Sequence, residues 1–164
     1  MNVLDIFKNH ILIVALLAGF TAQIIKIIIN AIVNKTFALE RLFGDGGMPS
    51  GHSATVTAAA LMVGLTEGFT STAFGLAFIL AIIVMHDATG VRQEAGKHAK
   101  SIIEIVNILN TYFDYLAESD TKLRTEKLKT LVGHTHLQVL FGALTGILVV
   151  IVYVITCNIQ ILRI

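Results

Sequence analysis

Residues able to carry chemistry gather in one short stretch, Gly44-Asp45-Gly46-Gly47-Met48-Pro49-Ser50-Gly51-His52-Ser53. Four glycines, the chain's only proline, two serines and a histidine stand here between two apolar segments. Glycine permits tight turns and close approach of backbone to a ligand. Pro49 suits the first turn of a helix, where its missing N–H costs nothing. The spacing predicts a glycine-rich loop that feeds a helix N-terminus. Such a terminus presents unpaired N–H groups and partial positive charge, a natural seat for phosphate. His52 falls in that first turn, placed to exchange a proton with a bound anion. A serine-capped Gly/Pro connector would have the same composition, so the stretch alone leaves both readings open.

Two further groups add charge. In the first apolar segment, Gln23, Lys26, Asn30 and Asn34 recur at helical spacing and share one face. Lys26 lies roughly 10 Å inside the segment at the helical rise. An intramembrane cation of this kind either lines a cavity or snorkels to the interface. Further on, His86-Asp87-Ala88-Thr89-Gly90-Val91-Arg92 ends an apolar run in a dense polar cluster, and Gly133-His134-Thr135-His136-Leu137-Gln138 opens the last one. Asp87 and Arg92 read as candidate substrate-binding residues, with an ion pair and nothing more as the alternative. Taken together, Lys26 with Arg41, the loop ending in His52, and Arg92 with His134 favour a dianion such as phosphate. Two histidines suit a reaction that needs a nucleophile and a proton donor. No cluster of Asp and Glu suits magnesium, and the single Cys157 offers no disulfide or thiolate site. A metal-free, cofactor-free phosphohistidine route is the simplest chemistry.

The elements that must position these groups are membrane helices. The chain has 164 residues, 55% hydrophobic and 14% charged. Its mean hydropathy is +0.79. The apolar residues form long blocks, so residues 1–164 read as a single all-α domain embedded in the bilayer. The expected spans are Ile11–Val33, Ser53 to about Gly68, Thr72–Met85, and a last run to about Ile155. From Ile102 onward, Val106, Leu109, Phe113 and Leu116 recur at three- and four-residue spacing, an amphipathic helix. The expected architecture is a bundle of about four transmembrane helices plus that amphipathic helix. Gly142 and Gly146 form a small-xxx-small pair suited to close packing. Net charge is +1, and no basic stretch is interleaved with aromatics, which argues against nucleic acid as a partner. With four spans, Lys35, Arg41, Arg92, Lys97, Lys100, Lys122, Arg124, Lys127 and Lys129 share one side. The positive-inside rule would place those loops in the cytoplasm of a multi-pass protein of the cell membrane.

Pro49-Ser50-Gly51-His52 resembles the PSGH motif of the type 2 phosphatidic acid phosphatase superfamily. His134, Val139 and Gly142 resemble parts of its last motif. With Asp-Ala-Thr-Gly-Val-Arg and Gly-His-Thr, the chain looks like the divergent branch, which is related to acid phosphatases and vanadium-dependent haloperoxidases. The resemblance runs from Gln23 to about Gly146. It implies a membrane phosphatase acting on a lipid phosphate: phosphatidylglycerol phosphate, phosphatidic acid or a polyprenyl diphosphate. It implies His134 as nucleophile and His52 as general acid, with Ser50, the Gly51 N–H and Arg92 on phosphate oxygens. Lys26 or Lys35, with Arg41, would stand in for the first motif's lysine and arginine.

The chain departs from that pattern in definite places. Lys35 and Arg41 are one residue too close, and no proline follows Arg41. An insertion separates Arg92 from His134, which leaves His98, six residues after Arg92, as a rival nucleophile; Ile102 fills the acid position that would follow it. The acid expected four residues after His134 is Gln138, which supplies a hydrogen bond without charge. The spans are fewer than the main family's six, which leaves room for a homo-oligomer to complete the cavity. Two other classes stay open: a catalytically silent lipid-phosphate binder or structural protein, and a small transporter subunit using Lys26.

Overall fold

The computed structural model describes residues 3–34, 47–115 and 133–159. A 3₁₀ helix, Val3–Lys8, leads into α1, His10–Asn34. α2 is Gly51–Glu67, α3 is Thr72–Thr89, α4 is Val91–Tyr115 and α5 is His136–Cys157. No strand occurs among the described residues. The helix starts are fixed by short polar side chains that take up orphan N–H groups. Asn9 Oδ1 accepts from Ile11 and Leu12 N–H at 3.0 and 3.2 Å. Ser50, Ser71 and Thr135 cap α2, α3 and α5 in turn.

Three stretches are long and apolar enough to cross a bilayer: His10–Val33, Thr72–Tyr112 and His136–Cys157. The fourth expected span, α2, has 17 residues. That is about 26 Å at the helical rise, the lower end of what a bilayer needs. It is also the middle of the bundle, packed against α1, α3 and α5. Its buried residues are mostly small: Gly51, Ser53, Ala54, Ala58, Ala60 and Gly64 among them. Without a hydrophobic driving force between helices in lipid, small residues that let backbones approach supply the packing energy. A Cβ on Gly146 would stand 2.5 Å from the Ala54 carbonyl oxygen, and one on Gly19 would stand 2.5 Å from Thr55 Oγ1. The Gly142/Gly146 pair is therefore where α5 presses onto α2.

Large apolar side chains point outward instead. Leu16, Phe20 and Ile32 on α1, Leu76 and Ile83 on α3, and Leu148 and Ile155 on α5 are all more than half exposed. An apolar exterior around a small-residue core is the pattern of a protein solvated by lipid. Threonine hydroxyls within the helices mostly return to the carbonyl four residues back: Thr55 to Gly51, Thr66 to Met62, Thr145 to Phe141. The chain is an all-α membrane bundle.

Two boundaries differ from expectation. The polar cluster after Met85 is helical throughout: α3 runs to Thr89, and after a break at Gly90, α4 starts at Val91 rather than near Ile102. The apolar periodicity that marks α4 begins at Ile102, but its first three turns are polar and carry no such signal.

Candidate active site

On α1 one stripe, Val14, Ala18, Ala22, Lys26 and Asn30, is buried along its whole length. It changes from apolar to polar at Lys26, toward the end where α1 meets the start of α2. Lys26 is 5% exposed. Its aliphatic stem lies under Gly47, where a Cβ would come 3.3 Å from Lys26 Cγ and Cδ. Gly47 has φ +102°, a left-handed conformation that glycine adopts without steric cost. Lys35 and Arg41 lie outside the described residues.

Ser50 is fully buried. Its Oγ accepts from Ser53 N–H at 3.3 Å and from the Ser53 hydroxyl at 3.0 Å. Its own N–H donates to the Gln138 backbone carbonyl at 2.9 Å. The α2 start is thereby tied to the first turn of α5. Gly51, also buried, abuts the Gln23 amide of α1. His52 follows in the first turn of α2 and is exposed.

The segment before α5 is tied to α3 in the same way. His134 N–H donates to the Ala88 carbonyl at 2.8 Å. Gly133, at φ +90°, packs so closely on the Arg92–Gln93 backbone that a Cβ there would stand 2.5 Å from Gln93 N. These contacts bring His134 beside the last turn of α3 and the first turn of α4. Across the Gly90 break, Arg92 Nε donates to Asp87 Oδ2 at 2.6 Å. Both side chains are about two-fifths exposed, 43% and 39%.

His52, Val84, Asp87, Ala88, Arg92 and His134 line one cleft. The two histidines are 82 residues apart in sequence. The cleft's volume is about 10 Å³, room for roughly one water molecule. Ser50, Gly51 and Lys26 are not among the lining residues; the first two sit behind His52 and the third beneath the Gly47 turn. His98 is exposed on α4 and does not line the cleft.

Sequence reading missed what Gln138 does locally. Gln138 is the third residue of α5, and with Thr135 it forms a capping box. Gln138 Oε1 accepts Thr135 N–H at 3.1 Å, while Thr135 Oγ1 accepts Gln138 N–H at 3.4 Å. The signal was in the sequence as Thr135-x-x-Gln138 before an apolar run. Because Thr135 N–H requires an acceptor, the amide oxygen faces inward. The same oxygen lies 3.2 Å from His134 Nδ1. That geometry assigns the proton to Nδ1 and leaves the lone pair on Nε2. His134 is 3% exposed, so its tautomer is held by the fold.

Among the described residues no group of three or more His, Cys, Asp and Glu could hold a metal ion. The cleft brings together one guanidinium, one imidazole whose tautomer is set by Gln138, and a second imidazole at a helix start, a set of groups suited to an oxyanion.

Comparison with known proteins agrees with this architecture. Residues 7–149 match a family model described as the divergent PAP2 family. The chain is 39% identical over 153 residues to a Bacillus subtilis (strain 168) protein described as the uncharacterized membrane protein YuiD, an alignment covering 91% of this chain and 96% of that one. No solved structure matches. With nearly nine-tenths of its length under that family model, and with the Pro49–His52 turn, Arg92 and His134 all at one end of a helical membrane bundle, the chain belongs to the divergent PAP2 family.

Proposed function

We propose that the protein is a phosphatase that hydrolyses a phosphomonoester or diphosphate carried on a lipid, with no metal or cofactor. The observation that carries the reading is the cleft shared by His52, Arg92 and His134. In this reading His134 Nε2 attacks the terminal phosphorus, and the bond from that phosphorus to the leaving oxygen breaks: the lipid alcohol oxygen in a monoester, the bridging oxygen of the departing lipid monophosphate in a diphosphate. His52 gives its proton to that oxygen as it leaves. Water then attacks the phosphohistidine, His52 takes the water's proton, and inorganic phosphate departs. Arg92 neutralises the equatorial oxygens, where positioning and charge do most of the work of phosphoryl transfer. The N-terminus of α2 adds its partial positive charge. The lipid tail stays in the bilayer and the headgroup reaches the loops, whose excess of lysine and arginine supports a cytoplasmic orientation under the positive-inside rule.

Phosphate release from phosphatidic acid, phosphatidylglycerol phosphate and a polyprenyl diphosphate by the purified protein tests it. His134→Ala and His52→Ala should each lower the rate by about a hundredfold or more. Equal rates in wild type and variants exclude these roles.

Gln138 favours a second reading, a lipid-phosphate binder without turnover. A neutral amide stabilises the histidinium and the phosphohistidine less than a carboxylate does. Binding of a lipid phosphate without release of phosphate would select it.

A further inference from the structure

An apolar groove of about 400 Å³ runs between α3 and α5, with α2 as its floor. On α3 its wall is Phe74, Phe78, Ala81 and Met85. These residues recur at four-, three- and four-residue spacing, so they form one stripe along the helix. The next position on that stripe, three residues on, is Ala88, which lines the polar cleft and whose carbonyl holds His134. The groove and the cleft therefore border consecutive stretches of one face of α3. At the end of the groove away from the cleft stands an aromatic cluster: Phe69 meets Phe74 edge-on at 5.1 Å, and Phe74 lies 5.6 Å from Phe78. From Phe74 to Met85 the stripe is about 17 Å long at the helical rise. That is close to half of the roughly 30 Å hydrocarbon core, the depth of one leaflet.

A second groove, between α1 and α5, is of similar size but lacks this continuity. α1 contributes nothing to the cleft lining, and the groove's nearest α5 residue, Thr145, is 11 positions beyond His134.

We propose that the α3/α5 groove seats one hydrocarbon chain of the lipid whose phosphate occupies the cleft, and that the Phe69–Phe74–Phe78 cluster sets the length accepted. This rests on the phosphatase reading for the identity of the headgroup, and it goes beyond that reading in naming where and how the tail is read. The chain lies along α3 with its headgroup end at Ala88. α5 closes over it through Ala143 and Ile147.

The first test needs no turnover. A monoacylglycerol phosphate with a diazirine near the end of its chain is photolysed with the protein in phosphatidylcholine vesicles, and adducts are mapped by mass spectrometry. Adducts should concentrate on Phe74, Phe78 and Ile147. They should fall at least tenfold with excess unlabelled monoacylglycerol phosphate and not with the same acylglycerol lacking phosphate. Adducts spread evenly over both grooves, or equally displaced by the unphosphorylated lipid, overturn the proposal. The second test fills the groove with Ile147→Trp or Ala143→Leu. The kcat/KM for a long-chain lipid phosphate should fall about tenfold while that for a short, water-dispersed alkyl phosphate stays within twofold. Phe78→Ala should shift preference toward longer chains. Equal losses on long and short substrates overturn the groove. If the wild-type protein hydrolyses neither, the phosphatase reading fails, and the adduct map still decides the chain site.

Discussion

His134 Nδ1 and Gln138 Oε1 lie 3.2 Å apart, and the same oxygen holds the Thr135 N–H that starts α5. One side chain thus serves both the helix cap and the imidazole. Gln138→Glu keeps the acceptor for both and adds a charge beneath the ring. Phosphate release should rise about tenfold or more, because a carboxylate stabilises the imidazolium that an amide only orients. Melting temperature should stay within about 2 °C, since the cap survives. Gln138→Ala removes both contacts and should cost about 1 kcal/mol of stability as well as activity. Thermal unfolding in detergent beside a phosphate-release assay separates the two effects.

The Arg92–Asp87 pair predicts a division between binding and stability. Both side chains are substantially exposed, and such pairs contribute about 0–1 kcal/mol. Arg92→Ala should therefore leave unfolding almost unchanged. It should weaken competitive inhibition by vanadate, a phosphate mimic, by about tenfold or more. Asp87→Asn should act the other way, tightening vanadate inhibition about threefold, because the carboxylate competes with an anion for the same guanidinium. Inhibition constants measured on the two variants check both signs.

Close packing of α5 on α2 predicts a contrast among glycines. Gly146→Ala would drive a Cβ to 2.5 Å from the Ala54 carbonyl, a backbone atom that cannot rotate away. Gly142→Ala would meet the Ser50 carbonyl in the same way. Each should destabilise by about 1–3 kcal/mol. Gly75, on α3, has nothing within 4 Å of such a Cβ. Gly75→Ala should stabilise by about 0.5–1 kcal/mol through helix propensity. Unfolding midpoints of the three variants in one detergent make the comparison.

Thr57 Oγ1 is buried without a hydrogen-bond partner. Thr57→Val removes that oxygen at nearly constant shape. The change should raise stability by about 1 kcal/mol, since an unmade hydrogen bond is costly and its removal is not. A fall of that size would place a hidden partner on the hydroxyl.

Much of this architecture can be read from residue order. The α1 and α5 spans and the small-residue contact at Gly142 and Gly146 follow from apolar run length and spacing, both local, whereas Pro49, expected in the first turn of α2, lies before it because Ser50 takes the cap position. The convergence of His52, Arg92 and His134 came from motif resemblance and not from periodicity, because what unites them is two long-range backbone hydrogen bonds with no side-chain signature. The α4 start was obscured because its polar first turns carry no apolar period. The burial of Ser50 and the separation of Lys26 from the cleft were illegible for a related reason: helix rotation about its own axis is set by close contacts such as Gly19 against Thr55, not by composition.

The frame around the cleft is joined through main-chain atoms: Ser50 N–H to the Gln138 carbonyl, and His134 N–H to the Ala88 carbonyl. Every amino acid except proline carries the amide hydrogen these links require. Substitution of the side chains at positions 50, 88, 134 and 138 leaves the hydrogen-bonding atoms of both staples in place, so chemistry at these positions can diverge from architecture. Proline at position 50 would cut the first staple outright while leaving His52, Arg92 and His134 in place, whereas proline at position 134 would remove the imidazole together with the second staple.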